Sequence, residues 1–328
     1  MKNLIKILTR RILTSLLILY LIISYIFILV RLAPGDPTHK FISPDLKSEY
    51  VKKVQESFNL DKPILSQYFT FISNSFKGDF GYSFNHRIKV ENVISEYLPV
   101  TLIIALLSLS IQLIASILLS LAAFKSDGGL LDKLLSRASV ISYALPTFVI
   151  GVFLVMIFSV YLNVLPASGI QSYNHGDLSF IGKILDYAAH LTLPLITVSL
   201  VGTAVFYKYL RDNLATVKNQ QFVLFLKANG YSENKILLKH ILPNSILPLI
   251  SIAGIEFGIL MGGTLLTEVI FGIPGMGRLT IDAIFTNDYP LVIGCAFTSA
   301  LFMILANLLA DIVKIIINRN LNIEGALA

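Results

Sequence analysis

Residues 97–124 read YLPVTLIIALLSLSIQLIASILLSLAAF, and this stretch contains no Asp, Glu, Lys or Arg. A helix needs about 20 residues to cross the hydrocarbon core of a bilayer, because each residue adds about 1.5 Å of length. The apolar residues do not alternate strictly with polar ones, which favours a helix over a barrel strand. The stretch therefore predicts a transmembrane helix.

The rest of the chain repeats this pattern. Its 328 residues are 55% hydrophobic and 14% charged, and the mean hydropathy is +0.75, far from that of an ordinary soluble domain. Six stretches are long and apolar enough to cross a membrane: 11–31, 97–124, 138–162, 191–210, 245–270 and 291–316. The predicted fold is an all-α integral membrane protein with six transmembrane helices.

Lys and Arg residues are concentrated on one side of the predicted spans. Both termini, the connection after the second span and the 211–244 segment hold most of them, whereas the third and fifth connections hold only Lys183 and Arg278. The first connection, 32–96, holds eight, but it also holds eight Asp and Glu, and long loops cross the membrane largely regardless of charge. Short loops rich in Lys and Arg stay in the cytoplasm. We therefore predict that both termini and the 211–244 segment are cytoplasmic. The net charge of +6 reflects this topology and does not indicate nucleic-acid binding.

Four segments follow from the predicted topology. Residues 1–31 form the cytoplasmic N-terminus and first helix, whose long apolar core and lack of a small-residue cleavage site favour a retained span over a signal peptide. Residues 32–96 form a small external subdomain, with a helix expected from Asp45 to about Phe58. Residues 97–316 form a five-helix core, and residues 317–328 form a cytoplasmic tail.

The cytoplasmic 211–244 segment is predicted to contain two short amphipathic helices hinged at a glycine. Gly230 can adopt the left-handed conformation that ends the first helix. Ser232 is placed to cap the second helix, with Glu233 in its first turn. Pro243 marks the point where this helix must bend or pass into the next span.

Both predicted helices carry an apolar face. Its members are Phe222, Val223, Phe225 and Leu226 in the first helix, and Ile236, Leu237 and Ile241 in the second. Apolar faces of this kind are unfavourable in water unless they pack against another protein surface. The pattern predicts a surface on which a soluble partner docks.

One ionisable residue lies inside the fifth predicted span. An ionised side chain at this depth is costly, so Glu256 is a candidate for a functional role. Two interpretations remain open: a carboxylate that faces the pathway and tunes the passage of cationic cargo, or a hydrogen-bonded glutamate at a helix interface. Small residues at Gly254, Gly258 and Gly262 suit close helix packing on this span.

Motifs for catalysis are missing from the sequence. It has no Walker glycine loop, no nucleophile elbow, no paired catalytic carboxylates and no closely spaced histidine pair. The single cysteine, Cys295, falls in the sixth predicted span and offers no metal site. We therefore expect a chain that is not an enzyme and that binds no metal or cofactor itself.

Five separated blocks of sequence resemble one family. They are RLAPGDP at 31–37, the external blocks GDFGYS at 78–83 and LPVTL at 98–102, YALP at 143–146 with LPASG at 165–169, the 211–244 segment, and EVIFGIPGMGR at 268–278 followed by DYP at 288–290. In this order they are similar to permease subunits of ATP-binding-cassette importers for dipeptides, oligopeptides and nickel. The resemblance covers essentially the whole chain.

This resemblance implies the type I importer permease fold and a set of partners. These are a second homologous permease subunit, two ATPase subunits that bind the ATP, an external substrate-binding protein or lipoprotein, and the lipid bilayer of a bacterial cell membrane; nucleic acid is not among them. The expected cargo is peptides. A nickel chelate is the alternative, and a channel or sensor is a more distant one.

The resemblance also marks the 211–244 segment as the loop that couples to the ATPases. The residues assigned to it are Phe222, Val223, Ala228, Gly230, Ser232, Ile236, Leu237, His240, Pro243 and Asn244. Phe225 and Leu226 depart from the family pattern, which has small residues there, so the docking surface is expected to be bulkier than is typical.

Overall fold

The computed structural model describes residues 2–32 and 63–317, which form helices and connecting loops, with no strand among them. The helices are α1 (Lys2–Leu32), α2 (Ile64–Phe76), α3 (Val90–Lys125), α4 (Leu130–Ala144), α5 (Thr147–Leu154), α6 (Phe180–Lys218), α7 (Gln221–Ala228), α8 (Glu233–Ile236), α9 (Leu242–Gly263), α10 (Leu265–Ile270), α11 (Met276–Phe285) and α12 (Tyr289–Ile317). A π-helical stretch, Val155–Tyr161, continues α5, and a second one, Leu237–Ile241, joins α8 to α9. The prediction of an all-α chain is confirmed.

The described part of the chain has five helices that are long and apolar enough to cross a membrane, or six candidate spans if one bent helix pair is counted as a span. Five are long apolar helices: α1, α3, α6, the joined α8–α9 helix and α12. The sixth is the bent pair formed by α4 and α5. The predicted six spans agree with the structure when this bent pair is counted as one span. α3 and α6 extend several residues beyond the apolar stretches that predicted them.

The third predicted span, 138–162, does not form one continuous helix. α4 ends at Ala144, α5 begins at Thr147, and the two are bent by 100° at the break. Pro146 has no backbone N–H, and its ring disfavours the helical conformation at the residue before it. Leu145 is accordingly extended, with φ −85° and ψ 131°. Hydropathy did not reveal this break, because it reports burial and not backbone direction.

The fifth predicted span, 245–270, is also corrected at both ends. The helix starts at Glu233, within the segment predicted to be a separate amphipathic helix, and it ends at Gly263. The short helix α10 follows after Thr264. Two consecutive glycines, Gly262 and Gly263, have low helix propensity and account for the end.

The described residues fall into two compact units. The first comprises the residues up to Leu102, together with Met261–Leu265 and Pro274–Leu305. In it, α2 packs along α1, and the Tyr68 hydroxyl lies 2.8 Å from the Tyr20 hydroxyl and 2.7 Å from the Ser24 hydroxyl. The predicted helix from Asp45 to Phe58 lies outside the described residues, so the boundaries of the external subdomain stay a prediction.

A buried carboxylate in the first unit joins two of the sequence blocks. Asp288 accepts hydrogen bonds from the Ser83 hydroxyl (2.6 Å) and from the Asn85 backbone N–H (3.0 Å). Its second oxygen accepts from the Leu291 N–H (3.3 Å) in the first turn of α12. The Asp-Tyr-Pro block thus caps the last span and anchors the turn that follows GDFGYS.

The second unit comprises Ile103–Leu260, Leu266–Ile273 and the described residues from Ala306 onward. One core cluster of this unit lies among the predicted cytoplasmic ends of its helices. The fully or nearly fully buried members are Phe206, Leu210, Leu214, Val217, Val223, Ile236, Leu237, Ile241 and Leu249. Partly buried residues of α3, including Leu113, Ile117 and Leu121, pack against them.

Candidate functional site

The turn between α7 and α8 has the geometry that the sequence predicts. Gly230 has φ +77°, in the left-handed region. Its N–H donates to the Lys227 carbonyl (3.0 Å), and the Tyr231 N–H donates to the Leu226 carbonyl (3.2 Å). These two bonds form a Schellman motif, which satisfies the carbonyls at the end of α7. The predicted role of Gly230 in ending the first helix is confirmed.

The second helix differs from the prediction. It begins after Ser232, as predicted, but the Ser232 side chain makes no capping hydrogen bond. It also continues without a break into α9 through the π-helical stretch Leu237–Ile241. Pro243 lies two residues after this stretch, and the wider π-turn before it gives the helix room for the missing N–H and the bulk of the proline ring. The separate second docking helix is therefore the start of a membrane span.

Most of the apolar face predicted for partner docking is buried inside this chain. Val223, Ile236 and Leu237 belong to the core cluster of the second unit and are at most 4% exposed. Amphipathic spacing indicates that a face is buried but not against which surface. These three assigned residues therefore hold the segment in place, and they do not offer a free surface to a partner.

The segment exposes apolar side chains on α7 and, after the turn, at Leu238, which is 53% exposed. Leu224 is 63% and Phe225 is 69% exposed, and Phe222 is partly exposed. Of the other assigned residues, Ala228, Gly230, Ser232, Pro243 and Asn244 are exposed, and His240 is half-buried against the Tyr231 ring. The sequence placed Phe225 in the docking face, and its exposure agrees with that prediction, but the sequence left out Leu224, which is similarly exposed.

An ion-pair network joins the end of α6, just before the 211–244 segment turns into α7, to the loop after α3 and the first turn of α4. Arg211, on α6, donates to Asp132 through Nε (3.1 Å) and Nη2 (2.9 Å), and Nη2 also donates to Asp127 (2.6 Å). Lys218 Nζ donates to the other Asp127 oxygen (2.7 Å). Bonds from Lys218 and Arg211 hold the pKa of Asp127 below its usual value. The partners are about 80 to 90 residues apart in sequence, so no local pattern signalled the network.

The network encloses one side of an open pocket of about 230 Å³. The end of α3, the end of α6, α7 and the start of α8 contribute its lining. The ring of Phe124 lies beneath two cations, 5.3 Å from Lys218 Nζ and 5.8 Å from Arg211 Cζ. We call this cavity the α7 pocket.

Glu256 lies on α9 and is half-buried, with no hydrogen bond or ion pair to another described residue. Two residues earlier, Gly254 faces α12: a Cβ there would lie 2.8 Å from the Ala310 Cβ. A separation of two residues turns about 200° around a helix, so Glu256 lies on the other side of α9 from this contact. The packing of α9 against α12 at Gly254 therefore does not explain why a glutamate lies at position 256.

A second polar cluster lies at the other end of α6. Asp186 accepts from the Ser172 N–H (2.9 Å), and the His175 Nδ1 lies 2.7 Å from its carboxylate. His190, one turn along α6, has its Nδ1 2.9 Å from the Asp186 carbonyl. His190 Nδ1 also lies 3.4 Å from the Asp186 carboxylate, so the fold brings two histidines that are not closely spaced in sequence to one carboxylate that fastens the loop before α6.

Two family models match the chain. The model described as binding-protein-dependent transport system inner membrane component matches residues 112–323, and the one for its N-terminal part matches residues 4–105. Among curated relatives, the oligopeptide transport system permease protein AppB of Bacillus subtilis is 33% identical over 94% of this chain and 96% of its own length. The probable peptide ABC transporter permease protein y4tP of Sinorhizobium fredii is 30% identical, and the glutathione transport system permease protein GsiC of Escherichia coli is 29% identical, over the same shares.

Proposed function

Because the chain belongs to the family of binding-protein-dependent transport system inner membrane components, we propose that it forms half of the translocation pathway of an ATP-driven peptide importer. It is a multi-pass, non-catalytic permease subunit that works with ATPase and substrate-binding components. The other half of the pathway is a second, related permease subunit. Two ATPase subunits bind the ATP on the cytoplasmic side, and an external binding protein delivers the cargo to the opposite side of the bacterial cell membrane.

Peptides are the proposed cargo because relatives that align over 94% of this chain carry peptide, oligopeptide and glutathione transport in their names. A nickel chelate has no such support. Glu256 would face the pathway, where its carboxylate favours peptides with a free amino group or a basic side chain.

One observation carries the coupling mechanism: α7 exposes two apolar side chains on one side and is packed against the core of the second unit on the other. Leu224 and Phe225 are exposed on one side, while Val223 is fully buried on the other. A partner that binds Leu224 and Phe225 would move α7 when it changes conformation, and Val223 would transmit the movement to the core of the second unit. Because α8 continues into α9, the same movement reaches the fifth span through an unbroken helix.

The test is uptake in liposomes that contain the permease pair, the ATPases and the binding protein. ATP inside should drive peptide uptake, and a non-hydrolysable analogue should not. Phe225→Asp should abolish uptake and release the ATPases, with normal membrane insertion. The control is Phe285→Asp, a change at a residue that is 82% exposed on α11, which is predicted to be external. Solute flux without ATP would instead identify a channel.

A further inference from the structure

The α7 pocket gathers basic side chains from three helix ends. Lys125 is the last residue of α3, Lys218 is the last of α6, and Lys227 lies in the last turn of α7. These helices are distant in sequence, so the fold alone brings their ammonium groups to one cavity. The partial negative charge at each helix C-terminus favours a lysine there, and three lysines that line one pocket make it attractive to an anion.

The acidic residues of the pocket balance only part of this charge. Asp127 is already bonded to both Lys218 and Arg211. Lys125 and Lys227 make no ion pair with any other residue in the described ranges 9–29 and 63–317, and neither does Glu233, the second acidic side chain of the lining. Three lysines and two carboxylates line the cavity, which leaves it with an excess positive charge.

The lining of the pocket is apolar beneath the lysines. Ile236, Leu237 and Ile241 are almost fully buried and form its lining with the Phe124 ring. The volume of about 230 Å³ is several times the roughly 30 Å³ that one water molecule occupies in the liquid. There is room for a phosphate group with part of an attached glycerol.

We propose that the α7 pocket binds a phosphate-bearing anion, held by Lys125 and Lys227 at its rim. A basic pocket between membrane helices on the cytoplasmic side suits the headgroup of an anionic lipid. Lys125 directly follows the apolar stretch 97–124, so the pocket lies at the membrane boundary, where a headgroup can enter and its glycerol can contact the apolar lining. Free phosphate from the cytosol offers the same oxygens without the apolar part.

Such a ligand would fasten α7 to the ends of α3 and α6. Its oxygens would accept hydrogen bonds from lysines on α3 and α7 at once, which restricts the position of the helix that carries Leu224 and Phe225. The placement in the inner leaflet rests on the proposed orientation. Anion binding requires neither the ATPases nor the cargo. An absence of binding would therefore leave the proposed transport function standing, and a failure of transport would leave the binding proposal standing.

The experiment is a titration of the purified, full-length permease in a neutral detergent, followed by native mass spectrometry. Three probes are compared: dioctanoyl phosphatidylglycerol, dioctanoyl phosphatidylcholine and inorganic phosphate. We expect phosphatidylglycerol to bind at least about 10-fold more tightly than phosphatidylcholine. Inorganic phosphate that binds as tightly as phosphatidylglycerol would assign the site to a free anion, and weaker binding would assign it to a lipid headgroup.

Matched variants locate the site. Lys125→Gln with Lys227→Gln should weaken phosphatidylglycerol binding about 10-fold or more. Lys133→Gln with Lys239→Gln removes the same charge from two exposed lysines outside the pocket, and should change it less than about 2-fold. Glu233→Gln should strengthen it. Equal loss in both double variants, or equal binding of the two lipids by the unmodified protein, would overturn the proposal; unchanged melting temperatures exclude misfolding as the cause of a loss.

Discussion

Replacing Gly230 tests whether the turn after α7 sets the position of the docking surface. A Cβ at this residue would meet no heavy atom within 4 Å, so a substitution causes no steric clash. The strain comes from the backbone alone, because φ is +77° and an L-residue there costs roughly 1–2 kcal/mol. Gly230→Val should therefore lower the population of the correct turn about 5- to 30-fold, since β-branched residues tolerate this conformation least.

The assay is the dissociation constant of the ATPase for the permease, measured beside membrane abundance. Gly230→Val should weaken binding about 5- to 30-fold, whereas Gly230→Asn should bind almost normally, because Asn tolerates the left-handed region. Gly78→Val is the matched control: its φ is +76°, its surroundings are equally open, and it lies in the predicted external segment. Normal binding by Gly230→Val, or equal weakening by Gly78→Val, would refute the reasoning.

Three further predictions concern residues of α6 and α9. Arg211→Gln removes both guanidinium N–H donors from Asp132, which is 14% exposed, and should lower the free energy of unfolding by on the order of 2–3 kcal/mol. The control Lys208→Gln breaks an exposed ion pair and should change the melting temperature little. Gly254→Ala should reduce membrane abundance, because its Cβ would lie 2.8 Å from that of Ala310, whereas Gly262→Ala has its nearest neighbour at 3.9 Å and should be tolerated. Glu256→Gln should reduce uptake of cationic peptides more than that of neutral ones at unchanged abundance; equal effects on both would contradict a pathway role.

Local features of the sequence were predicted well. The end of α7 at Gly230 and the start of α8 after Ser232 depend on residues within one turn, and the structure has both where they were expected. The six spans also follow from composition alone, because the length of an apolar stretch is the dominant signal in a membrane. The family blocks added the fold and the general function.

Features that depend on packing between distant residues were not predicted. The sequence could not show that Val223 is buried by α6, since its spacing fits an external partner as well as an internal neighbour. The break at Leu145 and the uninterrupted helix through Pro243 show why proline positions alone are ambiguous. One proline lies next to an extended residue and the other follows a π-turn that absorbs it. The Arg211 network joins residues more than 75 positions apart and left no local pattern.

The most direct test of the account is a cross-link from the exposed face of α7. A photoreactive amino acid is placed at Phe225, in the complex of both permease subunits with the ATPases and binding protein, and the captured protein is identified by mass spectrometry. The same probe at Phe285, which is 82% exposed on α11, serves as the control. The account predicts that the probe at residue 225 captures an ATPase subunit and that the probe at residue 285 does not. Capture of the ATPase from residue 285, or of the external binding protein from residue 225, would contradict it.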